Sequence, residues 1–427
     1  MRLQPCQTDD VRRPIPTRWP RREAPAAGRA RCRDRRAGPA GALLATLLAR
    51  SGRRVVVLER STSYRWRACG VFSSPASVDV LRAVGVGEEA LDAVARPIPA
   101  MRVEARGEHF RLTYGDDGSL RAPAVGFDRS RLDPLLLQLA ADAGAEVVRG
   151  ITVESAGPGE VVARDRSGKR SLTARVVVGA DGIRSVVARS VGVARPARLG
   201  PRTGLTFHVA DPHPTTPRDA RMLVFDDGYV GLAPVPGGRV NVGIVLGRSW
   251  ADRLRSAGAE RTTAAILRSI PGAGDDPVDW PNAQRCDSIE GAAPIGHRAV
   301  RRAGPGWLLV GDAAGFLDPF TGEGLHRTFV SARLAAATID HALSSGSSVA
   351  SRALAEYDTA MTRRFRSKDA VSLLVQAFLA NPRLFGHAAR RLAARDEVRE
   401  TMGLVMGDLV PASRALDPRF VATLLRP

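Results

Sequence analysis

Three short stretches of this chain combine glycines, small residues and a carboxylate at spacings suited to a phosphorylated, hydroxyl-rich ligand. The first is Ala37-Gly38-Pro39-Ala40-Gly41, followed one strand later by Glu59-Arg60. A glycine-rich turn that opens a helix lets the backbone approach a pyrophosphate, and the helix head offers free N–H groups and positive dipole. An acid about 20 residues on, at the end of the next strand, can accept hydrogen bonds from ribose hydroxyls. Glu59 holds that position, with Arg60 beside it. A plain tight turn is the competing reading. The pattern also departs from G-x-G-x-x-G, because Arg36 stands where the first glycine belongs.

The second stretch is Val176-Val177-Val178-Gly179-Ala180-Asp181-Gly182-Ile183-Arg184-Ser185. It ends an apolar strand in a tight turn, where Asp181 either caps the turn or, with Gly182, meets a ligand. The third runs from Leu308 through Gly311-Asp312 to Thr321-Gly322-Glu323-Gly324-Leu325. Asp312 is placed to accept a hydrogen bond from a sugar-like hydroxyl. The N–H groups around Gly322, Gly324 and Leu325 head a helix and suit developing negative charge. No side chain is singled out as catalytic. The cysteines Cys6, Cys32, Cys69 and Cys286 form neither a CxxC pair nor a ligand set with histidine, so no metal site or disulfide framework is indicated.

These segments need elements to hold them. Residues 38–50 read as an Ala- and Leu-rich helix, and residues 55–58 as a strand buried on both faces. A helix near 76–84, a strand over 101–114 and a helix over 130–143 follow. Residues 161–178 read as a hairpin turning at Ser167-Gly168, and 203–247 as antiparallel strands. Then come a strand at 307–310, a long helix at 325–343 and an amphipathic helical tail. Strand and helix alternate at both ends while antiparallel strands fill the middle, which predicts an α/β nucleotide-binding domain interrupted by a sheet domain. The nucleotide-binding parts are residues 37–97, 123–195 and 286–345. The sheet domain takes 98–122 and 196–285, and the helical region 346–427.

Residues 1–36 are rich in proline and arginine and show no period, so they read as an aberrant or disordered segment, such as a misread start would leave. Arg31-Cys32-Arg33-Asp34-Arg35 stands where a buried apolar strand belongs, and buried arginines would each need a partner. The expectation is that this run does not form that strand.

The net charge of +19 invites nucleic acid, but nearly all of it is scattered arginine, with only Lys169 and Lys368 as lysines and no reader motif. No run approaches the roughly 18 apolar residues of a membrane span, and no signal peptide is evident, so a cytoplasmic protein is expected. The tail helices could pack on the body, cover a lipid-like substrate or touch a membrane surface. His326 could face substrate or simply pack its helix.

Taken together, the three stretches resemble the flavoprotein monooxygenase fold group typified by p-hydroxybenzoate hydroxylase. More closely, the chain resembles the geranylgeranyl reductase family over about residues 37–345. The closer likeness rests on the Gly311-to-Gly324 string, on Gly228-Tyr229…Pro234…Gly238-Arg239-Val240-Asn241-Val242-Gly243, and on Arg67-Ala68-Cys69-Gly70. It implies an FAD-binding Rossmann-like domain interrupted by an antiparallel-sheet substrate domain, with a helical tail. Gly38, Pro39, Ala40 and Gly41 would hold the FAD pyrophosphate, Glu59 the adenosine ribose and Asp312 the ribityl chain. Gly322, Gly324 and Leu325 would lie beside the isoalloxazine ring. The resemblance gives Asp181-Gly182 to cofactor and nicotinamide binding, has Arg129 reach the FAD, and sets Arg67 and Cys69 in a loop close to the flavin.

NAD(P)H would dock transiently, since there is no second dinucleotide fold. The expected activity is NAD(P)H-fed hydroxylation of a small hydrophobic polyketide, aromatic or isoprenoid. Reduction of a carbon–carbon double bond is the alternative, and a non-catalytic relic with a defective pyrophosphate turn is a third. Gly231 and Ala233 replace a tryptophan and a phenylalanine of the lipid reductases' pattern. Neither lysine falls where flavin halogenases carry theirs.

Overall fold

The structure, a computed structural model, describes residues 30–33, 38–64, 68–105, 107–114, 123–197, 199–270, 276, 278–345 and 347–426. Its centre is a parallel pair, Val176–Gly179 beside Trp307–Leu309, both buried throughout. Continuous apolar runs of this kind belong to strands covered on two faces. On the other edge of Val176–Gly179 lies the strand Ala30–Arg33, paired in parallel from Ala30 opposite Val176 to Arg33 opposite Gly179.

This corrects the expectation that the arginine run leaves the slot empty. A ladder is made by main-chain N–H and C=O groups, and a buried strand with an open edge needs those groups paired whatever side chains the neighbour carries. The relic reading thereby loses its premise of a missing first strand. The rest of residues 1–36 lies outside the described residues.

The helix Pro39–Arg50 starts at Gly38 with proline in its first turn, where the missing N–H costs nothing. Its Leu43, Leu44 and Leu48 are buried against the helices Arg129–Asp142 and Gly324–Ser344. Next to it, Val56–Glu59 pairs in parallel with Glu146–Arg149.

Two stretches read as single elements are broken in the structure. Residues 161–178 divide between the hairpin Glu160–Asp165 and Gly168–Thr173 and the separate central strand Val176–Gly179. Lys169, Arg170 and Ser171 are exposed whereas the three valines are buried, so the polarity change at Ala174-Arg175 marks the switch between sheets. Residues 101–114 form two antiparallel strands, Ala100–Ala105 and Glu108–Thr113, turning where Gly107 takes φ +85°.

Those two strands complete a seven-stranded sheet. Its order is Glu290–Ile295, Arg202–Ala210, Arg239–Leu246, Gly228–Val235, Ala220–Phe225, Ala100–Ala105, Glu108–Thr113. One face, with Leu205, Phe207, Val230 and Leu232, packs with Ile266 of the helix Ala251–Arg268. The other face presents Val103, Phe110 and Met222 to the tail. That tail comprises the helices Ser347–Ala380, Pro382–Ala394, Asp396–Met406 and Pro418–Leu425. Among the described residues, no helix is long and apolar enough to cross a membrane.

The helix Asp396–Met406 sits so close to Glu108–Thr113 that a Cβ on Gly403 would stand 2.1 Å from the Thr113 carbonyl oxygen. Glycine-to-alanine in an ordinary helix interior stabilises by about 0.5–1 kcal/mol. Here the sign reverses. Gly403→Ala should destabilise by about 1–3 kcal/mol, the usual cost of overpacking a tight contact. Denaturant unfolding measures this, and a stabilised variant would show that the helix does not lie on the strand.

Candidate functional site

The three chemical segments converge on the head of the Pro39–Arg50 helix. Gly311 takes φ +58°, and a Cβ there would lie 2.9 Å from the Ala40 Cβ, so only glycine lets the third segment reach the first. The Gly311 N–H donates to Ser331 Oγ at 2.9 Å, which fixes the turn on the Gly324–Ser344 helix. The Gly182–Arg184 turn lies against the Gly311–Ala314 turn. His297 buttresses the same corner, its Nε2 lying 3.1 Å from the Ala313 carbonyl. A carbonyl can only accept, so Nε2 carries the hydrogen. Burial lowers the His297 pKa and favours the neutral ring.

Asp181 serves both readings at once. Its Oδ2 accepts from the Val186 N–H at 2.5 Å and the Val187 N–H at 3.4 Å, capping the helix Val186–Ser190. Its Oδ1 is buried without a partner. Burial pushes the carboxyl pKa up. Among the described residues no hydrogen bond reaches the Asp312 carboxyl, and burial pushes it up to about 6 against the opposing charges of Arg129 and Arg327. Glu59 is buried at the end of its strand and accepts the Ser61 N–H, while Arg60 is exposed.

Arg129 opens its helix behind the cap residue Asp128, whose other carboxylate oxygen takes Arg239 Nη2 at 2.7 Å. The Arg129 guanidinium holds Asp133 through Nε and Nη2 at 2.7 and 2.9 Å, and the Gly70 carbonyl through Nη1 at 3.0 Å. It thus ties the Cys69-Gly70 loop to the helix. Burial alone would lower its pKa, but the Asp133 carboxylate raises it well above the ordinary arginine range. Tyr64 shares this cluster, its hydroxyl pushed far up by burial and then by Asp133. Cys69 is half-buried and stands in no disulfide among the described residues. Arg67 lies outside the described residues.

The turn before the long helix is held from several sides. Gly322 takes φ +68°, and a Cβ on it would stand 2.4 Å from the Phe72 ring. Asp318 Oδ2 accepts Arg202 Nη1 at 2.7 Å. Its Oδ1 accepts the Tyr229 hydroxyl at 2.7 Å, Gln376 Nε2 at 2.9 Å and the Phe320 N–H at 3.0 Å. Glu323 Oε1 accepts hydroxyls from Thr321 at 2.7 Å and Ser372 at 2.6 Å. Farther along, Arg327 pairs with Asp369, and Lys368 donates to Asp408 Oδ1 at 2.9 Å and the Val405 carbonyl at 2.6 Å. His326 is buried in this region with both ring nitrogens unpartnered, and burial lowers its pKa.

Of these anchoring residues, Asp318, Thr321, Glu323 and Tyr229 stood inside quoted motifs without a role. Lys368, Ser372 and Gln376 lay in a tail read only for its apolar face. Their spacing of four puts all three on one side of the helix. A polar stripe at that period was the available signal.

Above the turn lies an apolar cavity of about 110 Å³. Met222, Val103 and Phe110 line it from the seven-stranded sheet, Phe320 from the turn, Phe72 from the short strand Phe72–Ser73, and Phe378 and Leu392 are among its tail residues. Among the described residues, Thr321 and Tyr114 carry the only side-chain oxygen or nitrogen atoms on its wall.

A helix head with first-turn N–H groups, a Cβ-free turn against it, an unpaired Asp312 carboxyl and an orphaned Asp181 oxygen fit a phosphorylated, polyhydroxylated cofactor. Together with the interrupted α/β fold, they define the class as flavin-adenine-dinucleotide oxidoreductases. The chain belongs to the FAD binding domain family, whose pattern matches residues 37–362.

Among its relatives is the menaquinone reductase of Mycolicibacterium smegmatis, 29% identical over 319 residues, or 70% of this chain and 74% of that one. A digeranylgeranylglycerophospholipid reductase of Methanocella arvoryzae is 26% identical over 346 residues, 75% of this chain and 80% of that one. The crystal structure of a geranylgeranyl bacteriochlorophyll reductase-like protein from Thermoplasma acidophilum superposes with TM-score 0.73 at 20% identity, covering 93% of this chain and 98% of that one.

Asp312 makes this candidate site sensitive to pH. Burial raises its pKa to about 6, so the free protein holds a proton there that the unfolded chain would already have released. That contribution to stability is present at low pH and is lost as pH rises through about 6. A ligand hydroxyl donating to the carboxylate binds best once the proton has gone. FAD affinity should therefore weaken about tenfold from about pH 7 to about pH 5. Titration by flavin fluorescence checks this, and Asp312→Asn should flatten the dependence. An unchanged slope in that variant would remove Asp312 from the cofactor.

Proposed function

We propose that the chain is an NAD(P)H-fed, FAD-dependent reductase that saturates a carbon–carbon double bond in a prenyl-bearing hydrophobic molecule. The observation that carries this is the apolar cavity roofed by the tail and floored by the turn bearing Phe320 and Thr321. Relatives named as reductases of prenylated quinones and lipids support the substrate class. When bound, FAD supplies the hydride.

The chain's own residues do the rest. The head of the Pro39–Arg50 helix, with Gly38 and Gly41, receives the pyrophosphate. Glu59 receives a ribose and Asp312 the ribityl hydroxyls. The N–H groups of Gly324 and Leu325, opening a 21-residue helix, face the electron-accepting edge and favour negative charge there. Arg129 acts through the loop it fastens. Tail and sheet exclude water and set the substrate against the turn.

Residues 37–97, 123–195 and 286–345 form the cofactor domain in this reading, 98–122 and 196–285 the substrate domain, and 346–427 the lid. A reduced nicotinamide nucleotide reaches the flavin transiently. The setting is the cytoplasm, with the tail meeting a membrane surface to collect substrate.

Hydroxylation is the second reading, favoured by Gly231 and Ala233 standing where the lipid reductases' pattern carries a tryptophan and a phenylalanine. A Cβ at Gly231 would have Met222 Cε at 3.5 Å, Met222 Sδ at 3.8 Å and the Gly243 carbonyl at 3.9 Å as its nearest neighbours.

Oxygen separates the two. With a prenylated naphthoquinone, NADPH consumption without oxygen and a product heavier by two hydrogens supports reduction. Consumption that needs oxygen and adds an oxygen atom selects hydroxylation. Ala389, 2% exposed on the cavity wall, offers a second check. Ala389→Trp should raise KM about tenfold, a loss of about 1.4 kcal/mol in binding, with FAD affinity unchanged. An unaltered KM would place the substrate elsewhere.

A further inference from the structure

An unpartnered carboxyl oxygen lies beside one of the two hydroxyl-bearing residues on the cavity wall. Glu323 is 9% exposed and stands at the cap of the Gly324–Ser344 helix. Its Oε1 is fully occupied, accepting from Thr321 and from Ser372 of the tail. Its Oε2 is buried with no partner. Thr321 lines the cavity, so one hydroxyl links the carboxyl to the substrate space. Arg327, paired with Asp369, lies close enough for the Glu323 charge to contribute to raising its pKa.

A purely structural role, stapling the helix head to the tail through Ser372, would use Oε1 alone. Burying a second, empty oxygen is costly unless a proton or a ligand donor meets it there.

We propose that Glu323, acting through the Thr321 hydroxyl, is the acid–base group of the cavity. The inference rests on the reductase reading. As hydride from the reduced flavin adds to one alkene carbon, the other takes the Thr321 hydroxyl proton, and a proton carried on Glu323 Oε1, 2.7 Å from Thr321 Oγ1, replaces it there. The double bond is reduced, the flavin oxidised, and Glu323 is left as a carboxylate. The hydroxyls of Thr321 and Ser372 both donate to that carboxylate in the arrangement observed. Solvent restores the proton after product leaves.

Glu323→Gln keeps an acceptor for both hydroxyls but removes the acid. Anaerobic reoxidation of the reduced protein-bound flavin by a prenylated naphthoquinone should slow roughly a hundredfold, the lower end of what general acids contribute. Its pH dependence should flatten, with FAD affinity within about twofold, far less than a factor of ten in binding. Thr321→Val should match that loss and Thr321→Ser should restore most of the rate.

Infrared difference spectra on adding farnesol supply a readout that needs no turnover. A carboxyl band that responds in the wild type should be absent in Glu323→Gln. Reoxidation at the wild-type rate in Glu323→Gln, or no Glu323-dependent band, overturns the proposal. A band that responds while no quinone is consumed leaves the proton site standing and sinks the reductase reading instead.

Discussion

The arrangement depends on one buried carboxylate. Asp318 accepts hydrogen bonds from Arg202 and Tyr229 of the sheet, Gln376 of the tail and the Phe320 N–H of its own turn. Its side chain is 3% exposed, so the charge is bearable only because all four donors are in place. Removing one partner of such a pair typically costs on the order of 3–5 kcal/mol, because the remaining charge stays buried. Sheet, turn and tail are therefore held as a unit, and the Gly322–Leu325 turn has little freedom relative to the cavity wall. Burial, and then the Asp318 charge, pushes the Tyr229 pKa well above its usual value, so the tyrosine remains a donor.

The sequence made the ligand-facing backbone legible and left its supports obscure. Gly38, Gly311 and Gly322 could be found because turns and helix heads need particular residue types locally. Their meeting could not. Nothing near Gly311 in sequence indicates that its missing Cβ leaves room for Ala40, about 270 positions away. The Ala30–Arg33 strand was misjudged for a related reason: side-chain character was weighed where backbone pairing with Val176–Gly179 decides. The breaks at Gly107 and at Ala174-Arg175 were missed because a local change of polarity does not by itself show that the backbone changes partner. Ser372 and Gln376 were passed over because a helix judged by its apolar stripe conceals a polar one alongside it.

The arginine excess has a structural use that composition alone does not show. Arg96 and Arg218 both reach the fully buried side chain of Asp211. Arg218 and Arg221 share Asp276, and Arg221 also grips Glu104. These pairs cross-link the helix-side end of the sheet to neighbouring loops. The planar guanidinium can hold two acceptors in fixed directions, which a lysine ammonium cannot. These arginines are internal mortar and not a track for phosphates.

The long tail helix joins the two halves of the chemistry. Leu374, Val375 and Phe378 line the cavity, while Lys368, Asp369, Ser372 and Gln376 hold the segment between Asp318 and Arg327 or its surroundings. One rigid element thus touches both the place where an apolar substrate would lie and the turn that would face the flavin. Filling the cavity presses on a helix whose polar stripe cannot slide without breaking buried hydrogen bonds, each costly to leave unmade. Substrate occupancy and flavin-side geometry must then be energetically coupled, and the coupling runs through Ser372 to Glu323 and through Gln376 to Asp318. A lid built only from apolar contacts would seal the cavity equally well. The polar stripe adds register, because Ser372 and Gln376 meet Glu323 and Asp318 of the turn while Lys368 meets Asp408 and the Val405 carbonyl.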